Sequence, residues 1–366
     1  MPLPFRTDWP RLWRVLLTLL LAFGAAELCV GLHTPLPWMI GPLVATALAT
    51  LAGVPTQSAL SLRNMGQWTI GGALGLYFTP EVLHMLATLW WAVLLGAAWA
   101  LLLGWLGSQG LWWMHRGRLA GVPDGALRST AFYASSIGGA SEMTLLAERA
   151  GARTDLVAAA HTVRVTVVVL VLPFAIQWSK QHWHLQAIDM VPAVDRFQPL
   201  GFALLALLTG AGVLAMRATR RPNPWFLGAL LVAMLIAALD IQLSNVPRPL
   251  SNAAQLVIGI SLGVRFTPAF AHGAPRWLLG SVLQTLALLA VSAVFAWLLA
   301  LLTGLHPVTL LLATSPGGIT EMAITAKVLQ LGAPVVTAFQ VCRLVAVLTL
   351  AEPLYRRWLK PDSRKN

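Results

Sequence analysis

Acidic residues are scarce: 13 Asp and Glu stand in 366 residues, against 25 Lys and Arg. Charged side chains make up only 10% of the chain and hydrophobic ones 57%, too little polar surface for two water-soluble domains of this length. Cysteine is nearly missing as well. Cys29 and Cys342 both fall in apolar runs, so they form neither a disulfide framework nor a metal site, and they read as buried thiols. The eight His are dispersed, which leaves no convincing iron or copper ligand set and argues against an oxygenase. No ATP-binding motif is present, which argues against primary transport.

Long apolar runs fill the chain instead. Residues 82–106 (VLHMLATLWWAVLLGAAWALLLGWL) and 278–305 each have the length of a membrane crossing and few or no charges. The composition therefore defines an all-α, polytopic membrane protein, with the lipid bilayer as its principal partner. The net charge of +12 is spread over short loops and the two ends, as topology signals and phospholipid contacts require. No basic helix interleaved with aromatics, zinc module or helix-turn-helix pattern points to nucleic acid, and no segment is long enough for a separate reader domain. Many of the 16 Trp, such as Trp90, Trp91, Trp112 and Trp113, sit in or beside the apolar runs, as interfacial anchors do. Residues 1–11 read as a cytoplasmic N-terminus ahead of an uncleaved first helix.

The chain repeats itself. QWTIGGALGLYFTP at 67–80 returns 188 residues later as QLVIGISLGVRFTP at 255–268, with eight of 14 positions identical. PWMIG at 37–41 answers PWFLG at 224–228, and SIGGASEM at 136–143 answers SPGGITEM at 315–322. In both copies an arginine follows the glutamate of this last motif by 22 residues, Arg164 after Glu142 and Arg343 after Glu321. Four matches in one order mark an internal duplication. The expected organisation is a membrane repeat at 12–178, a connecting loop at 179–198, a second repeat at 199–359 and a basic tail at 360–366.

Parity sets the topology. If the Gly-Gly segment crosses the membrane, each half has six spans and the halves are parallel; if it dips in and returns, each has five and the second half is inverted. With the N-terminus inside, the re-entrant arrangement keeps Arg63, Arg116, Arg118, Arg128, Arg217, Arg220, Arg221, Arg265, Arg276 and the basic tail in the cytoplasm. The six-span arrangement sends five of these outside. The positive-inside rule thus favours inverted repeats with about ten full spans plus two broken or re-entrant Gly-Gly helices.

Irregular backbone at membrane depth survives only against protein, a cavity or a ligand. Gly138 and Gly139, and Gly317 and Gly318, allow a tight break and close approach to the backbone. The polar residues beside them, Ser136, Ser141, Ser315 and Thr320, offer hydroxyls, and Ser141 or Thr320 is positioned to cap the helix that follows. Glu142 and Glu321 read either as acceptors for backbone N–H groups at a helix start or as titratable carboxylates that handle a proton or cation. Arg164 and Arg343 read either as partners of those glutamates or as planar forks for a carboxylate or phosphate. His161, three residues before Arg164, is matched by Gln340 in the second copy and ranks lower.

With these motifs assembled, the sequence resembles the AbrB family of duplicated bacterial membrane proteins over nearly its whole length. The second copy carries that family's Pro-Gly-Gly and Thr-Glu-Met at 316–318 and 320–322; the first has Ile137 in place of the proline. Members of the family are described as regulators of gene expression and sometimes as ammonia monooxygenases, while the architecture is that of secondary transporters with inverted repeats. The resemblance implies a multi-pass protein of the bacterial inner membrane. The reading of the residues is a transporter of a small anionic solute coupled to a proton or sodium, with no catalytic activity and no cofactor, and with room for a homo-oligomer. The alternative is a membrane regulator of gene expression that does not bind DNA directly.

Overall fold

The computed structural model describes residues 11–117, 122–183 and 196–358. The expected cytoplasmic N-terminus, most of the connecting loop, the basic tail and Arg118 lie outside the described residues. Sixteen α-helices and no strand occur among the described residues. The first half carries α1 (Arg11–Gly31), α2 (Pro37–Leu51), α3 (Leu60–Gly75), α4 (Pro80–Thr88), α5 (Trp90–His115), α6 (Asp124–Ser135), α7 (Ala140–Arg149) and α8 (Thr154–Trp183). The second carries α9 (Pro199–Ala218), α10 (Pro224–Ala238), α11 (Arg248–Gly263), α12 (Pro268–Gly273), α13 (Pro275–Thr303), α14 (Pro307–Thr314), α15 (Ile319–Val328) and α16 (Ala333–Trp358).

Each motif found twice in the sequence has the same structural job both times. Pro37 and Pro224 occupy the first turns of α2 and α10, where a missing N–H costs nothing. In Phe-Thr-Pro the threonine caps a helix: Thr79 Oγ1 accepts from the Val82 amide at 3.5 Å, and Thr267 Oγ1 from the Phe270 amide at 3.2 Å. The apolar run at 82–106, expected as one span, is divided between α4 and α5, with the break at Leu89. No residue of α4 is buried, so this short helix is a surface connector.

Among the described residues six helices are long and apolar enough to cross a membrane: α1, α5, α8, α9, α13 and α16. α2 and α10, at 15 residues each, reach only about 22 Å at 1.5 Å per residue, short of a hydrocarbon core of about 30 Å. Exposed leucines crowd the long helices, among them Leu20 and Leu28 on α1, Leu200, Leu207 and Leu214 on α9, and Leu301 and Leu302 on α13. Such faces belong against acyl chains. Cys342, expected to be buried, is exposed on α16, and Cys29 is half-buried. Their apolar surroundings are the outer face of the bundle, which a linear sequence cannot tell from its core.

The helices pack in two groups. α1, α2, α3, α9, α10 and α11 form one; α5 to α8 and α13 to α16 form the other. Packing is reciprocal between the halves: α2 lies on α11 while α10 lies on α3, and α5 lies on α16 while α13 lies on α8. Glycines make the first exchange possible. A Cβ at Gly75 would stand 2.6 Å from the Leu230 carbonyl oxygen of α10, and one at Gly259 would stand 2.5 Å from the Met39 carbonyl oxygen of α2. The Gly-rich helices thus bring their backbones onto those of their partners, as small residues four apart do in membranes. α3 makes the principal contacts between the two groups, touching α15 and α16.

Candidate functional site

The Gly-Gly motifs break a helix twice. α6 ends at Ser135 and α7 starts at Ala140; α14 ends at Thr314 and α15 starts at Ile319. The second glycine of each pair, Gly139 or Gly318, is the N-cap in extended conformation, with no side-chain cap. Ser141 and Thr320, expected to cap, are instead inside the first turn, at the second helical position. The side chain that reaches back to the helix start is the glutamate's. Glu142 and Glu321 sit at the third helical position and fold back so that a Cβ on Gly139 or Gly318 would collide with their Oε2 atoms. The first glycine is covered by the methionine: a Cβ on Gly138 would lie 2.8 Å from Met143 Cε, and one on Gly317 would lie 2.7 Å from Met322 Sδ. Gly-Gly-x-x-Glu-Met is therefore one interlocked unit, in which each glycine makes room for a particular side chain that follows it.

The break also orphans the last carbonyls of α6 and α14, because the next turn that would donate to them is gone. Side chains on α8 and α16 reach them and the carbonyls of the break itself. Arg164 Nη1 donates to the carbonyls of Ala134 and Ser135 at 3.1 and 3.2 Å, and its Nη2 to that of Ser136 at 3.1 Å. Arg343 Nη1 donates to Ser315 at 2.9 Å and Nη2 to Gly317 at 2.8 Å. One turn earlier, His161 Nε2 lies 2.9 Å from the Tyr133 carbonyl, and Gln340 Nε2 donates to that of Leu312 at 2.8 Å. A guanidinium only donates, so the 2.8 Å contact from Arg164 Nη2 makes His161 Nδ1 an acceptor. The imidazole is then neutral with its proton on Nε2, and it donates to Tyr133 as Gln340 does to Leu312. Each guanidinium also places positive charge at the negative end of a helix dipole.

Of the two readings open for the arginines, pairing with the glutamates is not seen. The described ion pairs are Arg128 with Asp124, Arg153 with Asp155 and Arg356 with Glu352, all away from the breaks. The forks of Arg164 and Arg343 face backbone carbonyls, yet the buried Nε of each makes no hydrogen bond, nor does Gln340 Oε1. The two guanidinium groups are near enough to act on each other electrostatically, as Arg343 and Glu321 are. Ser136 and Ser315 turn their hydroxyl protons back onto the carbonyls of Phe132 and Leu311, and only their oxygen lone pairs stay free. Ser141 is exposed and Thr320 buried. A cleft reaching Ser136 is walled by Trp105, Phe132, Ile137 and Leu354 and contains neither glutamate.

Two cations that act on the second break escaped the sequence-based list of site residues, and a third lies at the far end of α15. Arg63 and Arg265, counted there as loop charges, are half-buried and interact electrostatically with Glu321. Lys327, in the last turn of α15, places Nζ 5.8 Å from the centre of the Tyr77 ring. The available signal was their asymmetry: Arg265 stands where the first copy has Tyr77, and Lys327 where it has Glu148.

Long apolar helices, lipid-facing leucines and two helices broken around buried charge define an all-α, polytopic membrane protein. The profile of the family described as "Transition state regulatory protein AbrB" matches residues 38–359, and the chain belongs to that family. It is 28% identical over 340 residues to "Uncharacterized protein YhjN" of Bacillus subtilis (strain 168), a match covering 87% of this chain and 86% of that protein. It is also 28% identical over 354 residues to "Putative regulator AbrB" of Escherichia coli (strain K12), covering 95% and 96%.

Proposed function

We propose that the protein is a secondary transporter of a small anionic solute, coupled to a proton or sodium, in the bacterial inner membrane. The carrying observation is the pair of matched helix breaks, each with a carboxylate folded onto the start of one half-helix and a guanidinium holding the end of the other. Irregular backbone at membrane depth is tolerated against protein, a cavity or a ligand, and paired helix breaks of this kind line the sites of secondary transporters. In this reading Glu142 and Glu321 exchange the coupling ion, and the first-turn N–H groups of α7 and α15 with Ser141 and Thr320 face the solute. Gly138, Gly139, Gly317 and Gly318 let the Met and Glu side chains of each motif close over the break, so that the carboxylate stands at the helix start. Arg164 and Arg343 fix both breaks and keep one free Nε–H each.

The reciprocal packing of the halves supports a duplication at 12–178 and 199–359, and the inverted orientation rests on the distribution of basic residues over the loops. Ten crossings require the 15- and 16-residue helices α2, α3, α10 and α11 to span a thinned hydrocarbon layer. A thermal-shift screen of purified protein against small carboxylates and phosphate, across pH and with or without sodium, tests the reading. The expected result is a rise in Tm with at least one anion that depends on pH or sodium. A Tm unmoved by every anion under every condition counts against transport.

The name of the Escherichia coli relative favours a second reading, a membrane regulator that alters gene expression without touching DNA. It predicts a soluble protein that co-purifies with the detergent-solubilised chain. Isolation of the chain alone weakens it.

A further inference from the structure

We infer that Glu148 and Arg265 form a gate that closes when α7 docks on the end of α11, and that it alternates with the contact of Lys327 on Tyr77 seen in this structure. The duplication matches these residues position for position: Lys327 answers Glu148, and Arg265 answers Tyr77. In the second copy α15 packs along α3, and Lys327 Nζ, in its last turn, stands 5.8 Å from the centre of the Tyr77 ring just past the end of α3. The matched helices, α7 and α11, make no comparable contact among the described residues.

Within their own group the two half-helices sit alike. α7 lies on α6 and α8 as α15 lies on α14 and α16, and the same side is buried in both: Met143 and Ala147 match Met322 and Ala326, all at 0% exposure. The difference is confined to the side that meets α3 in the second copy. There Thr320 and Ile324 are buried and Lys327 half-buried, whereas the matched Ser141, Leu145 and Glu148 are all exposed, Leu145 at 50% against 1% for Ile324. Positions 141, 145 and 148 fall one above another on a helix, so the exposed residues form a stripe with an apolar centre and a carboxylate at its end. The end of α11, with Arg265, is the surface that the repeat assigns to it.

Each contact is complementary in its own chemistry, an ammonium on an aromatic face in one and a carboxylate with a guanidinium in the other. Glu148 and Arg265 belong to none of the described ion pairs, so both are available. Contacts of either kind are weak at a partly wet surface, which suits a junction that opens and closes. The two helix groups touch chiefly through α3, so a rotation of one against the other frees α15 and brings α7 to α11. This structure is then the state open on the side of Glu148 and Arg265, which the loop charges assign to the cytoplasm. Alternating access to the breaks rests on the transport reading above; the gate itself rests on the matched packing.

The test is crosslinking in membranes with a short bis-maleimide, on a chain whose native thiols are removed by Cys29→Ser and Cys342→Ser. The expected result is an intramolecular adduct in Tyr77→Cys with Lys327→Cys and another in Glu148→Cys with Arg265→Cys. Adding Lys327→Met should speed the second adduct about threefold or more, because losing a contact made in one state shifts the population to the other. Absence of the Glu148–Arg265 adduct in the folded protein, or a rate unmoved by Lys327→Met, overturns the gate. If the Arg265→Cys chain does not fold, maleimide labelling of Leu145→Cys and Ile324→Cys carries the test. Lys327→Met should then slow labelling at 145 and speed it at 324; changes of the same sign, or none, overturn the gate. Bridging in a protein that moves no anion in proteoliposomes leaves the gate standing and removes the transport reading. Undiminished flux in the bridged Glu148→Cys, Arg265→Cys protein removes the gate alone.

Discussion

Arg164 and Arg343 carry the clearest message at the scale of single residues. Both spend their forks on carbonyls that a broken helix can no longer satisfy, and His161 and Gln340, one turn earlier, do the same with different chemistry. Each hydrogen bond from a charged donor contributes about 1.5–3 kcal/mol, and a buried carbonyl left bare costs a further penalty. Arg343→Ala should therefore destabilise the purified protein by several kcal/mol, and Gln340→Ala by less. Gln340→His should be milder than Gln340→Ala, since a neutral imidazole serves at His161. Thermal or denaturant unfolding in detergent measures all three, and Arg343→Ala with parent-like stability would contradict the assignment. The repeated 22-residue step made these arginines conspicuous in the sequence. It could not show their targets, because an acceptor on the backbone carries no signature of residue type.

At the scale of the element, the break is a packed unit rather than a gap in a helix. Gly318 has no Cβ because the Glu321 carboxylate occupies that space, and Gly317 has none because Met322 does. Gly318→Ala should push the carboxylate off the start of α15 and lower stability, with the same change at Gly139 acting on Glu142. Ala73→Gly, in the continuous helix α3, should cost the usual helix penalty of about 1 kcal/mol plus the loss of one buried methyl, and should leave both carboxylates in place. Equal small losses at all three positions, read by thermal unfolding, would sink the claim that the glycines are shaped around the glutamates. The five residues shared by SIGGASEM and SPGGITEM were legible as a set. The division of labour between them was not: capping passed from Ser141 and Thr320 to the glycines because the chain becomes helical one residue after the pair. The split of 82–106 was missed for a related reason. Hydropathy averages over Leu89, where one helix ends and the next begins with no capping side chain to mark the junction.

At the scale of the whole molecule, composition sufficed for the class and the repeats for the order of helices. The packing of each Pro-Trp helix on the Gly-rich helix of the other half was not readable, since spacing along one chain does not say which copy a glycine faces. The same limit hid Arg63 and Arg265, which resemble topology signals until the fold half-buries both and brings their charge to bear on Glu321. The central claim is that the two breaks couple a solute to an ion. The most direct measurement is gradient-driven uptake of a labelled anion that binds the protein, comparing parent with Glu142→Gln plus Glu321→Gln in proteoliposomes of equal protein content and verified insertion. The account predicts accumulation driven by a proton or sodium gradient in the parent and its loss in the double variant, with exchange of anion across the membrane better preserved. Accumulation undiminished in the folded, inserted double variant would contradict it.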